Sequence, residues 1–308
     1  MMYLRCKMGA ALLCVYACFI TPTLARIPIL LDTDIGTDID DAFALALILH
    51  SPELELVGVT TVAGDTQARA RLAAKLLREA GNPQIPVAAG EPGPPQPIEQ
   101  TRWAEGFTGP PLTSEKAIDL MKREIDRRPG ELTLVAIGEL TNVAALLKSD
   151  PSMGKKIKRL VLMGGAIAHG YGQDLQPAAE WNIKSNPAAA QVVFASGMPI
   201  LMVPLDVTAM LQLDAAARHR VFTRLTPLTN ALTILYHLWN EETPILFDPM
   251  AVALIIDPSL CETESLLIGV DGKGFTRREA GRATNAVVAL KTDPKRFLEF
   301  YLSRVAPP

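Results

Sequence analysis

The feature that most limits the fold of this chain is a set of apolar runs without polar alternation. Residues 27–31, 54–62, 132–137, 159–163 and 200–205 are rich in Val, Ile and Leu. A strand wetted on one face alternates apolar and polar side chains. A run apolar throughout suits a parallel strand covered on both faces. Between these runs, residues 42–50, 67–80, 114–127, 142–148 and 187–196 read as helices. Strand and helix in alternation predict an α/β fold, an open, mostly parallel sheet flanked by helices. After Asp206 the pattern turns helical, over 214–223, 227–241 and 249–256. Residues 91–111 hold Pro92, Pro94, Pro95, Pro97, Pro110 and Pro111. They read as a long surface loop, and loops of that length often carry function. No repeat or linker divides residues 26–308, so a single domain is expected.

Residues 1–25 stand apart. Arg5 and Lys7 precede an uncharged apolar run over 8–20, and Thr23-Leu24-Ala25 supplies small residues for cleavage. This is the three-part pattern of a secretory signal peptide. The run is shorter than the ~20 residues of a membrane-spanning helix. The expectation is a periplasmic or secreted mature chain beginning at Arg26, with no membrane span after processing. Val15-Tyr16-Ala17-Cys18 offers a weaker, lipoprotein-type alternative. Cys6, Cys14 and Cys18 leave with the signal, so Cys261 remains alone and no internal disulfide can form. A formal charge of -3 without a basic cluster gives no electrostatic reason to expect a nucleic-acid partner.

The chemistry concentrates directly after the first strand, at Asp32-Thr33-Asp34-Ile35-Gly36-Thr37-Asp38-Ile39-Asp40-Asp41. In open α/β sheets, ligands bind at the carboxyl ends of strands. Five carboxylates within ten residues repel one another unless neutralised. A hard divalent cation with oxygen ligands answers that repulsion, and Ca²⁺ or Mg²⁺ fits better than Zn²⁺. Helix capping accounts for Asp40 and Asp41 alone. An EF-hand is disfavoured because a strand precedes the loop. A phosphotransferase with an aspartate nucleophile also begins Asp-x-Asp after a strand.

Asp32-Thr33-Asp34-Ile35-Gly36 with Asp40-Asp41-Ala42 resembles the aspartate-rich signature of the inosine-uridine-preferring nucleoside hydrolases. The resemblance continues through Gly58-Val59-Thr60-Thr61-Val62-Ala63-Gly64, Ala136-Ile137-Gly138-Glu139-Leu140-Thr141-Asn142 and Val161-Leu162-Met163-Gly164-Gly165. It extends to Ala179-Glu180-Trp181-Asn182, Leu205-Asp206-Val207-Thr208 and Asp248-Pro249. It implies a Ca²⁺-dependent enzyme that hydrolyses the N-glycosidic bond of ribonucleosides, and a homo-oligomer with a small-molecule nucleoside substrate. By the same resemblance, Asp34 is both a calcium ligand and the base toward the attacking water. Asp41 and Asp248 are further metal carboxylates, and Ile137 supplies a backbone carbonyl. Asp40, Met163, Glu180 and Asn182 hold the ribose, and Asp174 joins them six residues before Glu180.

Four departures from the family pattern stand out. Thr37-Asp38-Ile39 separates Gly36 from Asp40, where one residue is common. Asp65 and Asp174 replace Asn, adding negative charge if both face the ribose. Phe247 replaces a His credited with helping the base to leave, and phenylalanine has no proton to donate. The run Ala104-Glu105-Gly106-Phe107 also lacks the His often found there. Candidates to compensate are stacking by Trp103, Phe107 or Trp239 and a donor at His237 or His169. Two alternatives stay open at this point. One is a nucleoside- or ribose-binding protein with little turnover. The other is a hydrolase of a riboside with a good leaving group, such as nicotinamide riboside. Mass spectrometry of protein from its native host tests the export reading. A mature chain starting at Arg26 is expected; an intact Met1 on a soluble cytoplasmic form would overturn it, and a lipid-modified Cys18 would establish the lipoprotein alternative.

Overall fold

A computed structural model describes residues 25–172, 174–281 and 283–307. Residues 1–24, which contain nearly all of the proposed signal, lie outside the described residues. Among the described residues ten strands are present: β1 (Ile27–Thr33), β2 (Leu54–Thr61), β3 (Val87–Ala89), β4 (Thr133–Ala136), β5 (Arg159–Met163), β6 (Ile200–Val203), β7 (Cys261–Leu266), β8 (Ile268–Val270), β9 (Thr276–Arg278) and β10 (Ala286–Thr292). Eight form one sheet in the order β3-β2-β1-β4-β5-β6-β10-β7. All neighbours in it run parallel except β10 and β7. The expected open, mostly parallel sheet flanked by helices is what forms.

The apolar runs explain this sheet. In β1, Ile29 and Leu31 enter one buried cluster and Leu30 enters the other, all fully buried. Successive strand side chains point to opposite faces. A strand that must be apolar at every position is therefore one with helices on both sides. Truncating such a side chain to alanine typically costs about 2–5 kcal/mol.

Two helices are themselves buried almost end to end. Asp40–Leu49 and Phe247–Ile256 pack against each other in the layer next to the sheet. Both are apolar on all sides, as a helix without a water-facing stripe must be. Their polar residues are confined to their first turns, Asp40 and Asp41 in one and Asp248 in the other. Both N-termini open toward the carboxyl end of β1, and the positive end of a helix dipole favours carboxylates there.

The chain after Asp206 departs from the helical expectation. Helices do occur at Ala215–Phe222, Pro227–Trp239 and Phe247–Ile256, but strands β7 to β10 and the helix Pro294–Val305 follow them. Strand β7 reads Cys-Glu-Thr-Glu-Ser-Leu with its middle exposed. It is an edge strand, where charged side chains discourage further pairing, so it carries no apolar run to detect. Strand β6 also ends earlier than its apolar run suggests. Pro204 closes it, and Leu205–Thr208 is a short helix. Within the proline-rich segment, Glu99–Ala104 forms a 3-10 helix, and Gln100 is fully buried. That segment is more than a surface loop.

Candidate active site

Beyond the end of β1 the chain makes an acidic loop, held from beneath by a buried guanidinium. Arg69, on the helix Thr66–Glu79, is fully buried. It donates to the carbonyls of Asp34, Ile35 (3.0 Å) and Ala63 (2.8 Å), to Thr37 Oγ1 (2.8 Å) and to Gln96 Oε1 (2.9 Å). Gln100 Nε2 adds bonds to the carbonyls of Thr37 (3.1 Å) and Asp38 (2.8 Å). The residues that lengthen the loop beyond the family pattern are thus gripped by Arg69 and Gln100, and Gln96 in turn holds Arg69. Gly36 turns the loop at φ +117, a conformation open to glycine, and a Cβ there would stand 3.1 Å from the Thr101 methyl.

The carboxylates converge above this base. Asp40, Asp41 and Asp248 are buried, and each offers an oxygen within 4.8 Å of the others. Asp40 Oδ2 accepts the Asp248 backbone N–H at 3.1 Å, and Asp41 Oδ1 accepts the Thr33 hydroxyl. Burial and the neighbouring carboxylates hold Asp41 and Asp248 well above the ordinary carboxylate range. Asp40 is raised in the same way, by burial and by the charges of Asp38 and Asp34. Burial lifts Asp34 to about 6, against the pull of Arg69. Gly138 lets the end of β4 close on this group, since a Cβ there would meet Asp34 Oδ1 at 2.9 Å and Asp34 N at 3.0 Å. The donor set is hard oxygen, crowded and under-neutralised, and the converging carboxylates of Asp40, Asp41 and Asp248 could hold a divalent cation.

A cavity of about 270 Å³ opens over the carboxylates, lined by Asp34, Thr37, Asp38, Asp40, Asp41, Ile137, Met163, Tyr171, Glu180, Trp181, Asn182, Phe247 and Asp248. Among the described residues three larger cavities, about 300, 420 and 640 Å³, are lined by residues away from these carboxylates. Size therefore does not select the site; the convergence of carboxylates does. Asn182 Nδ2 donates to the carbonyls of Ile137 (3.0 Å) and Met163 (3.2 Å), which fixes its amide so that its oxygen is left for a ligand. Glu180 accepts the N–H groups of Asn182 (2.9 Å), Gly165 (2.8 Å) and Ile183 (3.2 Å). Burial still raises its carboxyl to about 7.

Of the residues expected in the site, Asp34, Asp40, Asp41, Ile137, Met163, Glu180, Asn182 and Asp248 line this one cavity. Asp174 does not: it is exposed, and its Oδ1 accepts the Gln176 N–H at 2.9 Å in a surface turn. Asp65 caps the helix Thr66–Glu79 through Ala68 N, also at 2.9 Å. Neither adds its charge to the cavity. Trp103 lies under Lys75 Nζ (4.3 Å to the ring) and Trp239 packs on Tyr236 (6.1 Å), and neither they nor Phe107 are among the cavity residues. His237 and His169 are exposed, and among the described residues no histidine lines the cavity. The aromatic wall is instead Tyr171, Trp181 and Phe247. Asp32, the first residue of the motif, braces the sheet by accepting from Thr60 Oγ1 (2.7 Å) and Asn142 Nδ2 (2.8 Å).

Residues 29–299 match the family of inosine-uridine preferring nucleoside hydrolases. The chain belongs to this family. It is 34% identical over 310 aligned positions to the pyrimidine-specific ribonucleoside hydrolase RihA of Salmonella gallinarum, covering 91% of this chain and 98% of that one. The RihA of Citrobacter koseri is 33% identical over the same shares. Among solved structures, a plant nucleoside hydrolase superposes with a TM-score of 0.79 at 26% identity, over 92% of this chain and 100% of its own. A purine-preferring ribonucleoside hydrolase from Gardnerella vaginalis gives 0.78 at 27%, over 91% and 98%. The protein is therefore an N-glycosyl hydrolase of the nucleoside hydrolase class, and the phosphotransferase alternative falls away.

Arg69 is a site residue that the sequence did not disclose. In this nucleoside hydrolase, Arg69→Met leaves several buried carbonyls without donors and removes the cation beneath the carboxylates. The expected loss is about 3–5 kcal/mol of stability, with partial recovery in Arg69→Lys. Urea denaturation measures it, and a loss under 1 kcal/mol would contradict the role given to this guanidinium.

Proposed function

We propose that this enzyme hydrolyses ribonucleosides to ribose and free base with a bound Ca²⁺, outside the cytoplasm once residues 1–25 are removed. The observation that carries the reading is the meeting of two groups in one cavity. Asp34, Asp40, Asp41, Asp248 and Ile137 line the same cavity as Met163, Glu180 and Asn182. Calcium is favoured over magnesium because it accepts many oxygen ligands in loose geometry, which suits a crowded carboxylate set.

Breaking an N-glycosidic bond builds positive charge on the ribose ring. When bound, the cation would hold ribose hydroxyls and polarise the attacking water. Asp34 would take a proton from the attacking water as general base. Asp40, Glu180 and Asn182 accept or donate hydrogen bonds to the sugar and fix its face toward Asp34. Carboxylates around the ring stabilise the developing cation more than the neutral ground state. Met163 and the three aromatic residues exclude water around the reacting carbon.

The names of relatives split between pyrimidine-specific and purine-preferring enzymes. Both classes belong in the substrate panel. Nicotinamide riboside, whose base leaves easily, belongs there too, although Asp65 and Asp174 are engaged elsewhere and add no charge to meet its cation. The test is a riboside panel with mature protein and detection of free ribose. Ribose release from inosine or uridine is expected, lost on chelation and restored by calcium. Asp41→Ala should lower it more than about a hundredfold. Full activity of a metal-free preparation would refute the calcium assignment, and a panel without ribose release would refute the substrate class.

A further inference from the structure

We propose that the hydroxyl of Tyr171 is the hydrogen-bond donor to the departing nucleobase, in a slot built by Tyr171, Phe247 and Trp181. The inference rests on the ribohydrolase reading above.

Tyr171 stands on a loop whose root is held firmly. Ile167 N and Ala168 N donate to the Asp206 carboxylate at 2.8 and 2.7 Å. Ala166 exchanges bonds with the Thr276 hydroxyl, 2.9 Å through its N–H and 2.8 Å through its carbonyl. Gly170 N closes on Asp174 O at 3.0 Å, so the chain is already folded back when it reaches Tyr171. The Tyr171 ring meets Phe247 edge to face, with centroids 6.2 Å apart and planes at 78°. A phenol is thereby placed beside the position where the family carries its histidine.

The hydroxyl is also oriented. It accepts the Trp181 backbone N–H at 2.8 Å. A phenol has one proton to give, and with a lone pair so engaged the proton turns away from Trp181. Among the described residues it has no protein acceptor. Both protons of the Asn182 amide, by contrast, are used by the carbonyls of Ile137 and Met163. Burial, together with the charges of Glu180, Asp40 and Asp38, holds the Tyr171 phenol above its usual range, so it stays protonated.

The step balances without a proton leaving Tyr171. The bond from the ribose carbon to the base nitrogen breaks, and its electron pair goes to the base. The attacking water bonds to that carbon, and Asp34 takes its proton. Charge on the base spreads to a carbonyl oxygen or ring nitrogen, which the phenol O–H stabilises. The base then takes a proton from solvent.

Tyr171→Phe keeps the ring and its contact with Phe247 and removes only the hydroxyl. The comparison is kcat on inosine and uridine against kcat on p-nitrophenyl riboside, whose leaving group departs without such help. Removing an enclosed oxyanion donor lowers kcat ~10²–10³-fold. Tyr171 is 45% exposed, so a smaller effect is expected. The ratio of nucleoside to p-nitrophenyl riboside kcat should fall at least about tenfold. An equal fall on both substrates would assign Tyr171 to packing alone and overturn the inference, as would no fall on either. Wild-type protein inactive on every riboside would instead overturn the ribohydrolase reading itself.

Discussion

Carboxylate crowding is the condition to which the rest of this structure answers. Asp34, Asp40, Asp41 and Asp248 are brought together in a buried cleft, where each resists ionisation beside the others. Left alone, such a group would push the loop apart or stay protonated. The fold opposes this from three sides. Arg69 sets a guanidinium beneath the loop; the buried helices Asp40–Leu49 and Phe247–Ile256 turn their N-termini toward it; and Gly138 lets β4 close on Asp34. What remains uncompensated is what a divalent cation would neutralise.

The same condition explains why so much was legible from the sequence. A parallel sheet buried on both faces must be written in continuous apolar runs, so β1, β2, β4 and β5 could be read nearly to their ends. Asp32 to Asp41 is too acidic to be anything but a site or a cost to folding. Its partner Asp248 lies over two hundred residues away, and only its family resemblance linked it to the cluster. The packing of the two buried helices brings it there.

What stayed hidden was set by contacts that leave no periodic trace. Arg69 sits on a helix where an arginine usually marks the water-facing side, and nothing in its spacing shows that it points inward. Gln96 and Gln100 lie in a segment that composition marks as a loop, yet Gln100 bonds the acidic turn and Gln96 bonds the guanidinium beneath it. Strand β7 is an edge, polar along its middle, and so has no apolar signature. The two added carboxylates, Asp65 and Asp174, cap local backbone, a use open to any exposed aspartate near a turn. The aromatic wall was misplaced for a related reason. Trp103, Phe107 and Trp239 are prominent in the sequence, but they pack outside the cavity, and Tyr171 takes its place only once its loop folds back.

We propose that the buried carboxylates form a cation site belonging to the folded state. Thermal unfolding of chelator-treated protein, with and without added calcium, tests it most directly. A ligand that binds only the folded chain stabilises it by about 2.7 kcal/mol at a hundredfold excess over its Kd. A rise of several degrees in Tm with calcium is expected, and it should vanish in Asp248→Ala. A midpoint that does not move with calcium in the unaltered protein would contradict the cation site.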